Sequence, residues 1–287
     1  MKRSSCDVLA CPACRQPLSL QAGPDDPVMA GSLRCLECRK EYGIQNGIVH
    51  FLEPRQLDGF NRRFSHLYDW FSWIYRAFSA FAFAYIGMKE ETARREVTDR
   101  LEPHGGRVLE VSIGPGVNLP YLVGRPDVRE VFGLDISPGQ LKRCRSFTSR
   151  KGWAVDLFLG NGEKLPFRDN SFDGVFHIGG INFFNDKQAA IKEMVRVARP
   201  GTRILIADET EKGARGYEKS LPGFKSSFEG KRKVIVPPFD LVPTDMLERR
   251  LFDIWKGWLY CIEFRKPGGL IGAHDFPGAQ AKTDRDL

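Results

Sequence analysis

The sequence predicts an α/β protein: an open, mostly parallel sheet with crossover helices, closed by an antiparallel hairpin and preceded by a small metal-stapled unit. Three observations carry this. Strand-like and helix-like stretches alternate from about residue 90 onward, which is the pattern of a parallel sheet. The apolar strand Val108-Leu109-Glu110-Val111 runs into a turn built on Gly114 and Gly116, where a ligand can approach the backbone because no Cβ intervenes. Two Cys-x-x-Cys pairs, Cys11/Cys14 and Cys35/Cys38, lie about 20 residues apart near the start, the spacing of a tetrahedral four-thiolate zinc site.

Residues 1–55 form the first expected unit. Leu33-Arg34-Cys35 and Tyr42-Gly43-Ile44 read as short strands, and Asn46-Gly47 is a hairpin-turn signal. So few residues bury little core, so a metal staple is physically sensible. A disulfide framework is the alternative. The chain starts Met1-Lys2-Arg3-Ser4-Ser5 without an apolar signal core, so export is not expected and a reducing compartment argues for zinc. The metal is expected to be structural, because four thiolates leave no open coordination position, and loss of Cys35 is expected to unfold this unit alone.

Residues 56–89 are an aromatic helical segment. Phe60, Phe64, Leu67, Phe71, Ile74, Phe78, Phe81 and Tyr85 recur at helical spacing on one face. Two readings stand: a cover packed on the main domain, or a lid over an apolar substrate that touches a membrane through 60–86.

Residues 90–266 carry the sheet. Helix 90–101 leads to strand 107–111; strands near 131–135, 155–159, 172–178 and 203–208 follow. Helix 186–198 stops at Arg199-Pro200-Gly201. Residues 212–243 read as irregular. Leu247–Asp253 and Trp258–Phe264 read as the closing hairpin, with Cys261 in the core, and 267–287 as a flexible tail.

Composition narrows the class less. The chain has 287 residues, 42% hydrophobic and 28% charged, with a net charge of +7, ordinary for a globular protein. The charge permits nucleic acid or an anionic membrane as partner, but Lys231-Arg232-Lys233 is the one tight basic cluster. No uninterrupted apolar run is long enough to span a bilayer, and a cytoplasmic location, peripheral to a membrane at most, is expected.

A second strand, Val131-Phe132-Gly133-Leu134, ends in Asp135, an acid placed to accept from a ribose diol. A dehydrogenase would carry a third glycine after Gly114 and Gly116, and none is there. The segment Glu110-Val111-Ser112-Ile113-Gly114-Pro115-Gly116 resembles the first motif of class I S-adenosylmethionine (AdoMet)-dependent methyltransferases, in particular the type 11 branch that includes ubiquinone/menaquinone-biosynthesis enzymes, with Ser112 in place of the first glycine. Gly160-Asn161-Gly162-Glu163-Lys164-Leu165-Pro166-Phe167 resembles their third motif, with Asn161 replacing an Asp. Ser171-Phe172-Asp173-Gly174-Val175 and Glu193 to Ile206 match the fourth and fifth. The first unit resembles the small zinc-ribbon proteins that act as methyltransferase partners, over Leu9–Cys14, Leu33–Cys38, Tyr42–Ile44 and Asn46–Ile48.

The resemblance implies a Rossmann-like class I methyltransferase sheet with a terminal antiparallel hairpin and an N-terminal zinc ribbon. It implies AdoMet held by Glu110, Ser112, Gly114, Gly116, Asn118, Asp135, Ile136, Asn161, Gly162, Glu163 and His177, and zinc held by Cys11, Cys14, Cys35 and Cys38. Because the sulfonium donor is already activated, a base is needed only if the acceptor must lose a proton; His177 is the first candidate and Asp208 the second. Asp173 reads as a turn acid, and Glu193 with Arg196 as a surface pair on a helix.

The expected reaction is methyl transfer to a small apolar acceptor: a quinone, lipid or aromatic metabolite. One rival is a ribosomal RNA, tRNA or protein methyltransferase that uses the ribbon for recognition; the segment Gly179-Gly180-Ile181-Asn182-Phe183-Phe184 lacks the Asn-Pro-Pro-Tyr type of motif that amino-group enzymes of that sort carry. The other is a non-catalytic subunit that binds AdoMet.

Overall fold

The structure, a computed structural model, describes residues 1–52, 82–220 and 235–268. The aromatic segment falls outside the described residues except for its last few positions, as do the boundary at 55 and the tail beyond Gly268.

The described strands are β1 (Leu18–Gln21), β2 (Ala30–Cys35), β3 (Glu41–Gln45), β4 (Ile48–His50), β5 (Gly106–Val111), β6 (Val128–Asp135), β7 (Val155–Leu159), β8 (Gly174–Ile178), β9 (Arg203–Glu209), β10 (Leu247–Ile254) and β11 (Leu259–Arg265). They form one sheet in the order β1-β2-β3-β4-β7-β6-β5-β8-β9-β11-β10. From β7 to β9 every neighbour is parallel, and β11 and β10 close the sheet antiparallel. The chain winds outward from β5 through β6 to β7, then returns to β8 on the other side of β5. The order therefore switches between β5 and β8, and ligands of such sheets bind at the carboxyl ends beside that switch.

Four helices are described: α1 (Glu90–Thr98), α2 (Pro138–Lys151), α3 (Lys187–Val197) and α4 (Glu211–Ser220). Local chemistry explains their ends. Ser137 caps α2 by accepting from Gln140 N–H, Pro138 opens its first turn, and Gly152 ends it in the left-handed region at φ 66°. Asp186 caps α3 by accepting from Ala189 N–H. The sequence reading gives no helix over 212–243. The structure places α4 over the first part of that stretch, where Gly213 and Gly216 let the helix lie directly on Trp258.

The ribbon is not a separate body. β4 pairs in parallel with β7, from Ile48↔Leu157 to His50↔Leu159, so the strands of the ribbon extend the main sheet. One core joins them: Leu33, Tyr42, Val49 and Phe51 are buried with Phe132, Phe158 and Phe167. Tyr42 packs on Phe51 at 5.0 Å between ring centroids and Phe51 on Phe158 at 6.3 Å. Unfolding the ribbon would strip one face from β6 and β7. The shared core weighs against its unfolding alone, because its hydrophobic residues supply the cover of the sheet as well as their own core.

Candidate active site

The β5–β6 wall starts with Glu110, buried as the next-to-last residue of β5. Its Oε1 accepts from Asn118 Nδ2 at 2.6 Å, and Asn118 Oδ1 accepts from Arg94 of α1 at 2.8 Å. The other carboxyl oxygen, Oε2, is buried without a hydrogen-bond partner. Burial pushes the Glu110 carboxyl up to about 8, against the pull of the Asn118 amide and the Arg94 charge. An orphaned buried carboxylate oxygen is a vacancy for a cation or donor.

The turn after β5 supplies the floor. Gly114 has φ 55°, and a Cβ there would meet nothing within 4 Å, so the turn opens onto free space. Gly116, at φ 77°, is needed for the opposite reason: a Cβ would strike Leu119 and Cys144. Ser112, in place of the first glycine of the motif, also adopts a positive φ of 63°, a strained position for a residue with a Cβ. Asp135 at the tip of β6 accepts from Gly114 N–H at 2.8 Å and from Ser137 N–H at 2.9 Å. One carboxylate thus fixes both the glycine turn and the start of α2. Ile136 follows, half-buried.

The loop after β7 forms the third side. Asn161 Oδ1 accepts from Glu163 N–H at 2.9 Å, and Glu163 Oε1 accepts from Asn185 N–H at 2.8 Å. Gly162 admits the ring of Phe184, which a Cβ would meet at 2.8 Å. Asn118, Asn161 and Glu163 therefore brace the loops through hydrogen bonds, and Glu110 Oε2 is left buried without a partner.

The β8–β9 wall is different. His177 is buried; its Nδ1 donates to Val111 O at 3.0 Å, which leaves Nε2 as an unprotonated lone pair, and Nε2 has no partner. Burial holds its pKa below the usual histidine value. Phe184 packs on the ring at 5.6 Å between centroids, edge to face. Asp208 at the end of β9 accepts from Gly180 N–H at 3.1 Å, Asn182 N–H at 2.6 Å and Glu209 N–H at 2.9 Å, so both its oxygens hold the turn that follows β8. Asn182 in turn accepts from Tyr260 O–H of β11 at 3.0 Å. Beside Asp208, burial and the neighbouring charge push the Glu209 carboxyl well above the usual range. A cavity of about 430 Å³ opens at this turn, lined by Asn182, Phe183, Phe184 and Leu241 with Asp186 and Lys187.

Of the residues expected from sequence, Glu110 lies near the end of β5, Ser112, Gly114, Gly116 and Asn118 follow it, Asp135 and Ile136 lie at the end of β6, Asn161–Glu163 follow β7, and His177 lies near the end of β8, all toward the carboxyl ends of the parallel strands. Sequence reasoning missed Arg94, Glu209 and Tyr260. Arg94 had no signal, since it reads as an ordinary helix charge, and Tyr260 depends on strand pairing. Glu193 is also not the surface residue expected: it is 6% exposed, sits on α3, and accepts from Leu165 N–H.

Apart from the crevice, Cys11, Cys14, Cys35 and Cys38 place their sulfurs all within 4.8 Å of one another, and none forms a disulfide. Tyr42 O–H lies 3.1 Å from Cys11 Sγ. Soft thiolates in a closed tetrahedral set suit zinc.

This sheet order, with a glycine turn after the first central strand and an acid after the second, is the Rossmann-like fold of class I methyltransferases. Residues 109–206 match the family described as a methyltransferase domain, and residues 4–47 match the Trm112p-like proteins. The chain therefore joins a type 11 methyltransferase domain to a Trm112p-like ribbon. It is 32% identical over 126 residues to the O-methyltransferase rstn1 of Aspergillus nomiae, covering 43% of this chain and 56% of that one. It is 28% identical over 180 residues to a phosphatidylethanolamine N-methyltransferase of Cereibacter sphaeroides, covering 58% of this chain and 86% of that one. The chain spans about half the length of the O-methyltransferases it matches. The fold is also that of a chain in the complex between the Haloferax volcanii Trm112 methyltransferase activator and a methyltransferase, with a TM-score of 0.52 at 18% identity, covering 70% of this chain and 97% of that one. No helix among the described residues is long and apolar enough to cross a membrane.

Proposed function

We propose that this chain is an AdoMet-dependent methyltransferase acting on a small, apolar acceptor, with a structural zinc in its ribbon. The observation that carries the cofactor assignment is the orphaned Oε2 of Glu110 beside the open Gly114 turn. A buried carboxylate oxygen without a donor fits the methionine ammonium, and the turn leaves room for the chain of the cofactor. Asp135, at the tip of β6 beside the glycine turn, is the acid assigned to the ribose hydroxyls, and Ile136 with the 161–163 loop flanks the adenine side. AdoMet bound there supplies an electrophilic methyl group.

The residues of this chain do the rest. Glu110, the glycine turn and Asp135 would hold the donor, and fixing it beside the acceptor lowers the barrier by orientation. His177 Nε2 accepts the proton of an acceptor hydroxyl or amine; burial keeps that lone pair unprotonated at neutral pH. Asp208 acts on the turn 180–182 instead of on the acceptor, since its oxygens are occupied by backbone donors. The apolar side chains of Phe183, Phe184 and Leu241 suit an apolar acceptor, and the amides of Asn182, Asn185 and Gln188 offer polar contacts beside them. The O-methyltransferase and phospholipid N-methyltransferase relatives support the same class. A lipid acceptor would bring the chain to a membrane surface, consistent with an aromatic segment over 60–86 acting as lid or contact.

A second reading rests on the Trm112p-like ribbon: a macromolecular acceptor, recognised by that unit. Incubation with labelled AdoMet and separate lipid, small-metabolite, RNA and protein fractions decides. Label in the lipid or metabolite fraction supports the first reading, label in RNA or protein the second, and AdoMet binding without label anywhere would leave a binding subunit.

A further inference from the structure

The loop Gly160–Leu165, placed on the adenine side by the reading above, is bracketed by the ribbon at both ends. Before it, Phe51 N–H donates to Leu159 O at 2.8 Å, continuing the β4–β7 ladder. After it, Ala10 N–H donates to Pro166 O at 3.0 Å, Arg168 N–H donates to Val8 O at 2.8 Å, and Leu9 bridges to Phe167. Ala10 directly precedes Cys11, and the knuckle turn is closed by Arg15 N–H on Cys11 O at 2.7 Å.

A side-chain relay adds to this. Arg15, next to Cys14, donates to Glu193 Oε1 at 2.9 Å. Glu193 Oε2 accepts from Leu165 N–H at 2.8 Å, and Arg196 donates to both Glu193 oxygens and to Leu165 O. The zinc knuckle therefore reaches the backbone of the cofactor loop in one step, through a carboxylate that is almost fully buried. A salt-bridged carboxylate in that position fixes the donor it faces, because its orientation is set from two sides by guanidinium groups.

We propose that Arg15 and Glu193 are positioning residues that transmit the order of the metal knuckle to the Gly160–Leu165 loop, so that metal occupancy of the ribbon and AdoMet affinity are coupled. This inference rests on the assignment of the crevice to AdoMet. Coupling is reciprocal by thermodynamic necessity: if zinc tightens AdoMet, AdoMet tightens zinc by the same factor.

The test uses the full chain and two readouts: hydrogen exchange of the amides at 161–165, which needs no cofactor, and AdoMet affinity by calorimetry. Withdrawing zinc with a chelator should speed exchange in this loop about tenfold or more while amides of β9 and β11 hold, and should weaken AdoMet by a similar factor. In zinc-loaded protein, Arg15→Ala should weaken AdoMet about threefold, the scale of a largely exposed ion pair, and Arg15→Lys should restore most of it. Glu193→Gln should weaken it about tenfold with faster loop exchange. Unchanged loop exchange after zinc withdrawal from a chain that stays folded overturns the coupling. Should chelation unfold the chain, unchanged exchange and affinity in both Arg15→Ala and Glu193→Gln overturn it. A wild-type chain that binds no AdoMet defeats the cofactor assignment instead, and the exchange measurements still decide whether the knuckle orders the loop.

Discussion

On the β5–β6 side of the crevice, the groups assigned to the donor come from a backbone turn and acids at short, fixed spacings: Glu110, held by Asn118, and Gly114, held by Asp135, within the stretch from β5 to the end of β6. On the β8–β9 side, the same role falls to side chains gathered from β8, β9 and β11, with Asp208 holding the turn and Tyr260 holding Asn182. The first wall is shaped for a ligand of one chemistry, because its geometry is set by backbone. The second can vary by side chain without disturbing the sheet. A fold can in this way keep one donor and change acceptors.

Substitutions in the two walls should therefore separate donor binding from turnover. The largest expected effect is Gly114→Val, which puts a branched side chain at φ 55° and into the open turn; AdoMet binding should fall below detection by calorimetry, with the fold retained by circular dichroism. Measurable affinity would break the comparison at its base.

His177→Asn probes the opposite wall. The amide can still donate to Val111 O, but offers no base. Turnover with a hydroxyl acceptor should fall about 10²-fold or more while the AdoMet dissociation constant stays within about twofold. Loss of AdoMet affinity instead would move His177 to the donor side.

Asp135→Ala should weaken AdoMet by about 1.5–3 kcal/mol, the scale of hydrogen bonds to a charged group, and leave kcat at saturating AdoMet little changed. A fall in kcat with unchanged affinity would contradict the ribose role.

Glu110 sharpens the comparison through pH. Its free carboxyl titrates at about 8, and a bound ammonium favours the ionised form, so binding near pH 7 should release a proton. AdoMet affinity should then rise as pH rises toward about 8. The stability contribution of the raised carboxyl has its own sign: it is fully present below the ordinary carboxylate value and lost as pH rises through about 8. Calorimetry in buffers of different ionisation enthalpy reads the proton directly, and Glu110→Gln should abolish both the release and this pH dependence.

The smallest effect expected is in Ser112→Gly. Relieving a positive φ at a residue with a Cβ should stabilise the chain by about 1 kcal/mol in thermal or denaturant unfolding. A destabilised variant would mean that the serine hydroxyl contributes more than its backbone strain costs.

Much of the donor wall was legible. Strand, glycine turn and acid follow one another within a short stretch, and each signals its backbone conformation by residue type. The alternation of strand and helix and the closing hairpin were readable for the same reason. The acceptor wall was only partly legible. His177 and Asp208 could be found by their place at strand ends, but Asp208 turned out to hold a loop, and Tyr260 and Glu209 carry no local mark. Glu193 reads from its helix as an exposed partner of Arg196; only the seating of the ribbon on α3 and the 160–167 segment buries it.

The sequence by itself determined the elements and the two ligand types: thiolates at metal spacing, and a glycine turn with acids at strand tips. These depend on φ preferences and on donor chemistry within a few residues. Only the tertiary structure decided that the ribbon continues the main sheet through β4 and β7, that its knuckle reaches Leu165 through Glu193, and that His177 Nε2 is buried without a hydrogen-bond partner. Those facts arise from contacts between residues far apart in the chain, where burial and pairing are set by which surfaces must cover each other, and no local pattern encodes that choice.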